Sequence, residues 1–278
     1  MKNTFIFWLI GLALSALSCN EANTSEGEQP EKDPVTEESI QVMAFNIHHA
    51  NPPSKPNDFI DLDAVVQVIR EQAPDLVALQ EVDVLTKRSG NVNQAKEIAG
   101  QLGMHYFFGK AIDYQGGEYG VAILSKYPLS DSRVDRLPTK EGTNGEPRIL
   151  ASAKVLLPNG KSIRFGSTHL DAQSNATNRI LQVKELNRIA SEETLPLVIA
   201  GDLNATPEKE EIQLLDATYT RTCQDCPATY PASGGTKVID YIAFDPAGQF
   251  ETLEHKVVEE RYASDHLPVM ASLRLLAD

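Results

Sequence analysis

Six strand-like stretches of this chain adjoin polar side chains that could do chemistry, four of them running directly into one. Residues 42–45 lead into Asn46, and 77–80 lead into Glu81. Residues 165–168 lead into His169, and 198–201 lead into Asp202 with Asn204 two residues on. Asp240 stands between Ile239 and Tyr241, and Asp265-His266 stands just before Leu267-Pro268-Val269. A carboxylate beside a buried strand is costly unless something pairs with it. One such residue means little, but six sites with carboxylates, amides and imidazoles point to a shared cluster at one edge of the sheets. Hard carboxylate oxygens suit Mg²⁺ or Mn²⁺. Two imidazoles add capacity for proton transfer and hydrogen bonding. The combination fits metal-assisted hydrolysis of a phosphate ester.

In order, Phe45-Asn46-Ile47, Leu79-Gln80-Glu81-Val82, Ser167-Thr168-His169-Leu170, Gly201-Asp202-Leu203-Asn204, Ile239-Asp240-Tyr241-Ile242 and Ser264-Asp265-His266-Leu267-Pro268-Val269 resemble the endonuclease/exonuclease/phosphatase superfamily over about residues 40–275. The resemblance implies an α/β fold, a four-layered αββα sandwich of two mixed sheets packed face to face with helices outside. It also implies roles. Glu81 resembles the main metal ligand, helped by Asn46, with Asp265 as a further ligand. Asp202 matches the residue that orients or deprotonates the attacking water. Asn204 and a cationic His266, held by Asp240, match the groups that hydrogen-bond the phosphoryl oxygens. His169 matches the position some members use to protonate the leaving oxygen.

A second tier of residues is expected to line the cleft. His48, two residues after Asn46, stands where some nuclease members carry an Asp ligand, and His49, Arg88 and Asp171 join it. Arg148 suits a phosphate clamp, because a guanidinium matches paired phosphoryl oxygens. Arg179 reads as a salt-bridge residue on a helix face, and His105 and His255 as surface or packing residues. The stretch Tyr114-Gln115-Gly116-Gly117-Glu118-Tyr119-Gly120 reads as a loop bordering the substrate. Its glycines do not follow a P-loop pattern and no Lys-Ser/Thr pair follows, which excludes nucleotide cradling of that kind.

The elements that must position these residues alternate along the chain. Period-two and continuous apolar runs predict strands over 40–47, 76–80, 121–124, 149–157, 162–168, 197–200, 238–244, 256–259 and 268–275. Asn159-Gly160 predicts a tight turn between two of them. Leu62, Val65, Val66 and Ile69 mark an amphipathic helix stopped near Pro74. Val92, Ala95, Ala99 and Leu102 mark a second, closed by Gly103, and Ile180, Val183, Leu186 and Ile189 a third. A fourth is expected over 207–217, opened by Thr206-Pro207. Helices interleaved with strands predict a mixed sheet system covered by helices, in one domain over 40–278.

The first residues read as an address. Lys2 precedes an apolar run from Phe5 to Leu17, short of the ~20 residues a membrane-spanning helix needs, so 1–19 is expected to be an export signal. Ala16-Leu17-Ser18-Cys19 resembles a bacterial lipobox, which implies acylation of Cys19, a membrane anchor and residence in the envelope, on the outer membrane. Residues 20–39 hold seven acidic side chains against one lysine, the composition of a disordered tether. In an exported chain Cys223-Gln-Asp-Cys226 reads as a structural disulfide. A zinc site would need two further ligands nearby, and none stands close in sequence.

The net charge of −14 repels phosphate backbones and disfavours duplex-DNA binding. Aromatic residues are only 6%, which argues against a stacking surface for single strands. The expectation is therefore an exported, metal-dependent phosphoesterase, monomeric, acting on a phosphodiester or phosphomonoester. A secreted nuclease and a non-catalytic surface-binding lipoprotein are the competing classes.

Overall fold

The computed structural model describes residues 39–276. The expected signal, Cys19 and all but the end of the acidic stretch lie outside them. Among the described residues, twelve strands form two six-stranded sheets. The first contains β1 (Ser39–Asn46), β2 (Leu76–Val84), β3 (His105–Tyr114), β4 (Gly117–Ser125), β11 (Phe250–Val257) and β12 (Val269–Leu275), in the order β11-β12-β1-β2-β4-β3. The second contains β5 (Leu129–Leu137), β6 (Arg148–Leu156), β7 (Ser162–His169), β8 (Leu197–Asp202), β9 (Thr220–Arg221) and β10 (Asp240–Asp245), in the order β5-β6-β7-β8-β10-β9. Each sheet has one parallel pair near its middle, β1 with β2 and β7 with β8, and every other pairing is antiparallel.

Side-chain alternation on these strands builds four layers. Along β1, Val42 and Ala44 enter the core between the sheets, while Met43 and Phe45 face the opposite way. There they meet Val65, Val66 and Ile69 of α1 (Leu62–Gln72) and Ala95, Ile98 and Ala99 of α2 (Gln94–Leu102). Along β8, Val198 and Ala200 face the other sheet. Leu197 and Ile199 meet Val183 and Leu186 of α3 (Thr177–Glu192) and Ile212 and Leu215 of α4 (Glu210–Asp216). Central strands buried on both faces explain why these segments read as near-continuous apolar runs.

Most expected elements are present with small boundary shifts. Asp61 caps α1 by accepting from the Ala64 N–H, and left-handed Ala73 ends it before Pro74. Gly103 ends α2 as expected. The fourth helix begins at Glu210 rather than 207, and β11 runs over Phe250–Val257, earlier than the expected 256–259. Three strands, β3, β5 and the two-residue β9, have no counterpart in the sequence reading. β5 is almost wholly exposed and polar, so it carries no apolar period. The expected loop over 114–120 is instead the β3–β4 hairpin, turned at Gln115-Gly116, both in the left-handed region.

Candidate active site

The expected residues meet where the sheets' central strands end. In the second sheet, register does this directly. His169 of β7 pairs with Asp202 of β8, and Asp240 of β10 pairs with Asp202 from the other side. Three buried chemical groups therefore stand in a row across three adjacent strands. Gly201 makes the row possible, because a Cβ there would collide with the backbone oxygen of Thr168. In the first sheet, Asn46 ends β1 and pairs with Gln80. A bulge between Leu79 and Val82 then turns Glu81 out of the ladder. Hydrogen bonds tie the two sheets together just beneath: Ser167 Oγ donates to the Leu79 carbonyl at 3.0 Å, and Gln80 Nε2 donates to Ser167 Oγ at 3.1 Å.

Left-handed backbone marks the rim. Glu81 (φ 56°), Asn204 (φ 50°), His48 (φ 46°) and His49 (φ 44°) all adopt it without being glycine. Such conformations cost about 1–3 kcal/mol each and gather where a side chain must be aimed. No sequence pattern signals them.

The side chains form one connected network. Asn46 Nδ2 donates to Glu81 Oε1 at 3.1 Å and to Asp202 Oδ2 at 3.2 Å, bridging the sheets. The Asn204 backbone N–H donates to Asp202 Oδ1 at 2.8 Å. His266 holds Nδ1 against both oxygens of Asp240, at 3.0 and 3.1 Å, and its Nε2 lies 3.7 Å from Asp202 Oδ2. The Ser264 hydroxyl donates to the Asn46 carbonyl and accepts the His266 N–H, fixing that segment to β1. Arg148 Nη1 lies 3.3 Å from His169 Nδ1. A guanidinium only donates, so where a neutral His169 accepts from Arg148 at Nδ1 its proton sits on Nε2, 3.4 Å from Asp202 Oδ2. The Asn204 amide nitrogen stands 3.0 Å from the same Nε2. Two donors thus converge, an arrangement that an acceptor oxygen arriving between them would relieve.

Burial and charge set three protonation states. Burial, then Asp240, push the Asp202 carboxyl up to about 7, against the pull of His266 and the Asn204 and Asn46 donors. Burial lowers His266, but the Asp240 carboxylate outweighs it with help from Asp202 and Asp265, raising the imidazole to about 10. Burial, then Arg148 and His266, hold His169 well below the ordinary histidine value, so it is neutral. Three neighbours are thereby kept as a poised acid, a cation and a neutral imidazole.

The residues fit a divalent cation. Glu81 offers a carboxylate beside the Asn46 amide, and donor atoms of Glu81, His48 and His49 lie within 4.8 Å of one another. His49 Nδ1 is buried without a hydrogen-bond partner. Burial, Arg88 and His48 depress its pKa to about 4, leaving a neutral ring nitrogen able to ligate. Asp265 stands across the cleft with Oδ1 4.0 Å from His48 Nδ1. The carboxylate and amide oxygens suit a hard divalent cation, and the neighbouring imidazoles suit a borderline one.

The cleft, about 680 Å³, is lined by Glu81, Arg148, His169, Asp202, Asn204, Asp265 and His266. His48, His49 and Arg88, expected to line it, are not among these residues; Arg88 lines a small adjoining pocket with Glu81 and Tyr119 and is already engaged. It makes two bonds to buried Asp83, at 2.7 and 2.9 Å, and stacks 4.6 Å from the Tyr114 ring. Asp171 is corrected. It is buried away from the cleft, accepting from Asn178 Nδ2 at 3.0 Å. Arg179 is the helix-face partner expected of it, 2.8 Å from buried Glu211, and also donates to the Asp171 and Gln173 carbonyls. Tyr119, from the stretch expected to border the substrate, lines the cleft, as do Tyr230, Lys209 and Lys237, which the sequence reading missed. The Tyr230 ring packs 4.7 Å from His266 with Lys237 Nζ 5.7 Å from its centre. These residues come from a strand interior and loops with no periodic or motif signal.

Comparison with known proteins bears on the fold and the family. The chain is 24% identical over 258 residues to the Escherichia coli K12 protein YbhP, covering 87% of this chain and 99% of that one. The crystal structure of an endonuclease/exonuclease/phosphatase from Beutenbergia cavernae superposes with a TM-score of 0.74 at 23% identity, over 85% of this chain and 72% of that one. The mannosyl-6-phosphatase Bt3783 of Bacteroides thetaiotaomicron superposes with a TM-score of 0.67 at 17% identity, over 84% and 99%. The model of the Endonuclease/Exonuclease/phosphatase family matches residues 43–266. The chain therefore belongs to that family and is a hydrolase acting on phosphate ester bonds.

Proposed function

We propose that this chain is an exported phosphoesterase that uses Mg²⁺ or Mn²⁺ to hydrolyse a phosphodiester or phosphomonoester by attack of water. One observation carries the reading: Asp202 stands between Asn46 and Glu81 of one sheet and His169, Asp240 and His266 around the other, and Glu81, His169, Asp202 and His266 open into a single cleft. Glu81 and Asn46, with Asp265 opposite, would hold the ion, which supplies charge neutralisation at a non-bridging phosphoryl oxygen. Asp202 has the proton affinity of a general base at neutral pH and takes the proton of the attacking water. The Nε2–H of cationic His266 and the Asn204 amide donate to phosphoryl oxygens as negative charge builds there. Asp240 keeps that imidazole charged and oriented. His169 carries its proton on Nε2, facing the cleft, and gives it to the departing oxygen, while Arg148 fixes its tautomer. The signal-like residues 1–19, with Cys19 as the acylated residue, support an envelope location on a lipid anchor.

The test measures Mg²⁺- and Mn²⁺-dependent release from a chromogenic phosphodiester, a phosphomonoester, sugar and inositol phosphates, sphingomyelin and DNA. Metal-dependent turnover is expected, falling about 10²–10⁴-fold in Asp202→Asn. Preference for DNA would favour a secreted nuclease. Turnover unchanged in the variant would remove Asp202 from the chemistry.

A further inference from the structure

Cys223 and Cys226 are joined as a disulfide in the loop that follows β9. The structure brings a third group to them that is distant in sequence. His255 lies on β11, and its ring nitrogen and the two sulfurs all fall within 4.8 Å of one another. None of the three lines the cleft described above.

The ring's protonation pattern follows from its neighbours. Thr222 Oγ1 donates its one proton to the Ile242 carbonyl at 3.1 Å. The same oxygen lies 2.8 Å from His255 Nδ1, so it must accept there and Nδ1 carries the hydrogen. Nε2 is left as a bare lone pair, buried and with no hydrogen-bond partner. A buried acceptor without a donor calls for a cause, and an oxidised sulfur pair has no proton to give it. An imidazole held through Nδ1–H by a protein oxygen, with Nε2 free toward two cysteines, has the orientation of a metal-ligating histidine.

We propose that the reduced Cys223–Cys226 pair and His255 Nε2 bind one Zn²⁺ ion, with solvent as the fourth ligand beside the half-exposed sulfurs. Two thiolates and one imidazole select a borderline, tetrahedral cation over Mg²⁺ or Ca²⁺. The disulfide and the metal are alternative states of the same pair. A trialkylphosphine and one water convert the S–S bond to two thiols as phosphorus is oxidised to phosphine oxide. Zn²⁺ then replaces the two thiol protons, which leave to buffer. β9 is an edge strand of one sheet and β11 an edge strand of the other. The ion therefore clips the two sheets together at one side of the sandwich.

The experiment uses the full chain carrying Cys19→Ser, so that this pair supplies the only thiols. The protein is reduced with a trialkylphosphine, its fold checked by near-ultraviolet circular dichroism, and titrated with Co²⁺ as the spectroscopic probe. A thiolate-to-cobalt charge-transfer band is expected, saturating at one equivalent of thiolate-bound metal and bleached by Zn²⁺. It is absent from the oxidised protein and from Cys223→Ser/Cys226→Ser. His255→Ala weakens Co²⁺ binding tenfold or more, and His255→Gln serves the same purpose should the alanine variant not fold. The catalytic centre contains no thiol and cannot produce this band, so the result does not depend on phosphoesterase activity. No band in folded, reduced protein overturns the proposal, as does a band of unchanged affinity in a folded His255 variant.

Discussion

Replacing Asp240 with asparagine should discharge His266. The substitution keeps the shape of the side chain and removes the charge 3.0 Å from Nδ1. In the native protein burial works against the imidazolium, yet its pKa stands at about 10 because Asp240 leads the opposing influences. Without that carboxylate, burial faces only Asp202 and Asp265. The pKa should then fall to the ordinary value near 6.5 or below, a drop of about 3.5 or more, or roughly 5 kcal/mol of preference for the charged form. The sign follows from linkage: a raised pKa means the cation persists until pH climbs through about 10, whereas in the variant it is lost above about 6.5. The direct assay is the pH titration of the His266 ring by nitrogen-15 NMR in metal-free protein. The functional assay is kcat/KM against pH on the best substrate. Activity of Asp240→Asn should decline from neutral pH upward, where the native enzyme still holds its cation. A His266 pKa within one unit of native in the variant would refute the view that Asp240 maintains the charge.

Three further outcomes follow from the same geometry. Glu81→Gln should weaken Mn²⁺ binding, read by electron paramagnetic resonance, by at least the 10–100-fold seen for lost outer-shell partners, with activity falling in step. Gly201→Ala should cost about 1–3 kcal/mol in urea unfolding, because the new methyl meets the Thr168 backbone rather than a movable side chain. Glu211→Ala should cost about 3–5 kcal/mol, since it leaves the Arg179 guanidinium buried without its counter-charge; a loss under 1 kcal/mol would show that the carbonyls of Asp171 and Gln173 suffice.

The site was largely legible in the sequence because of where it sits. Strands such as β1 and β8 are buried on both faces, so their apolar runs stop abruptly at Asn46 and Asp202, and the stop is itself the signal. Asp171 misled for the same reason: it follows β7 closely, but the chain has already turned and α3 takes its side chain. Tyr230 and Lys237 were invisible because no periodicity governs the segment between β9 and β10. His255 was unreadable as a partner of Cys223 because only the stacking of two sheet edges makes them neighbours. β5 could not be read because an exposed edge strand has no buried face to record in its composition.

The pairing of β1 with β12 has a consequence for biogenesis. The earliest described strand lies between β2 and the strand nearest the C-terminus, with Ala44 opposite Val269 and Ser39 opposite Arg274. Asp265 and His266 emerge only just ahead of β12. A growing chain can close its second sheet, but it cannot complete the first or seat His266 against Asp240 until β12 and the segment before it have been made. Non-local closure of this kind is slow. Until β12 is made the first sheet stays open beside β1 and the cluster around Asp202 lacks its second imidazole, so this sheet and the site are completed together.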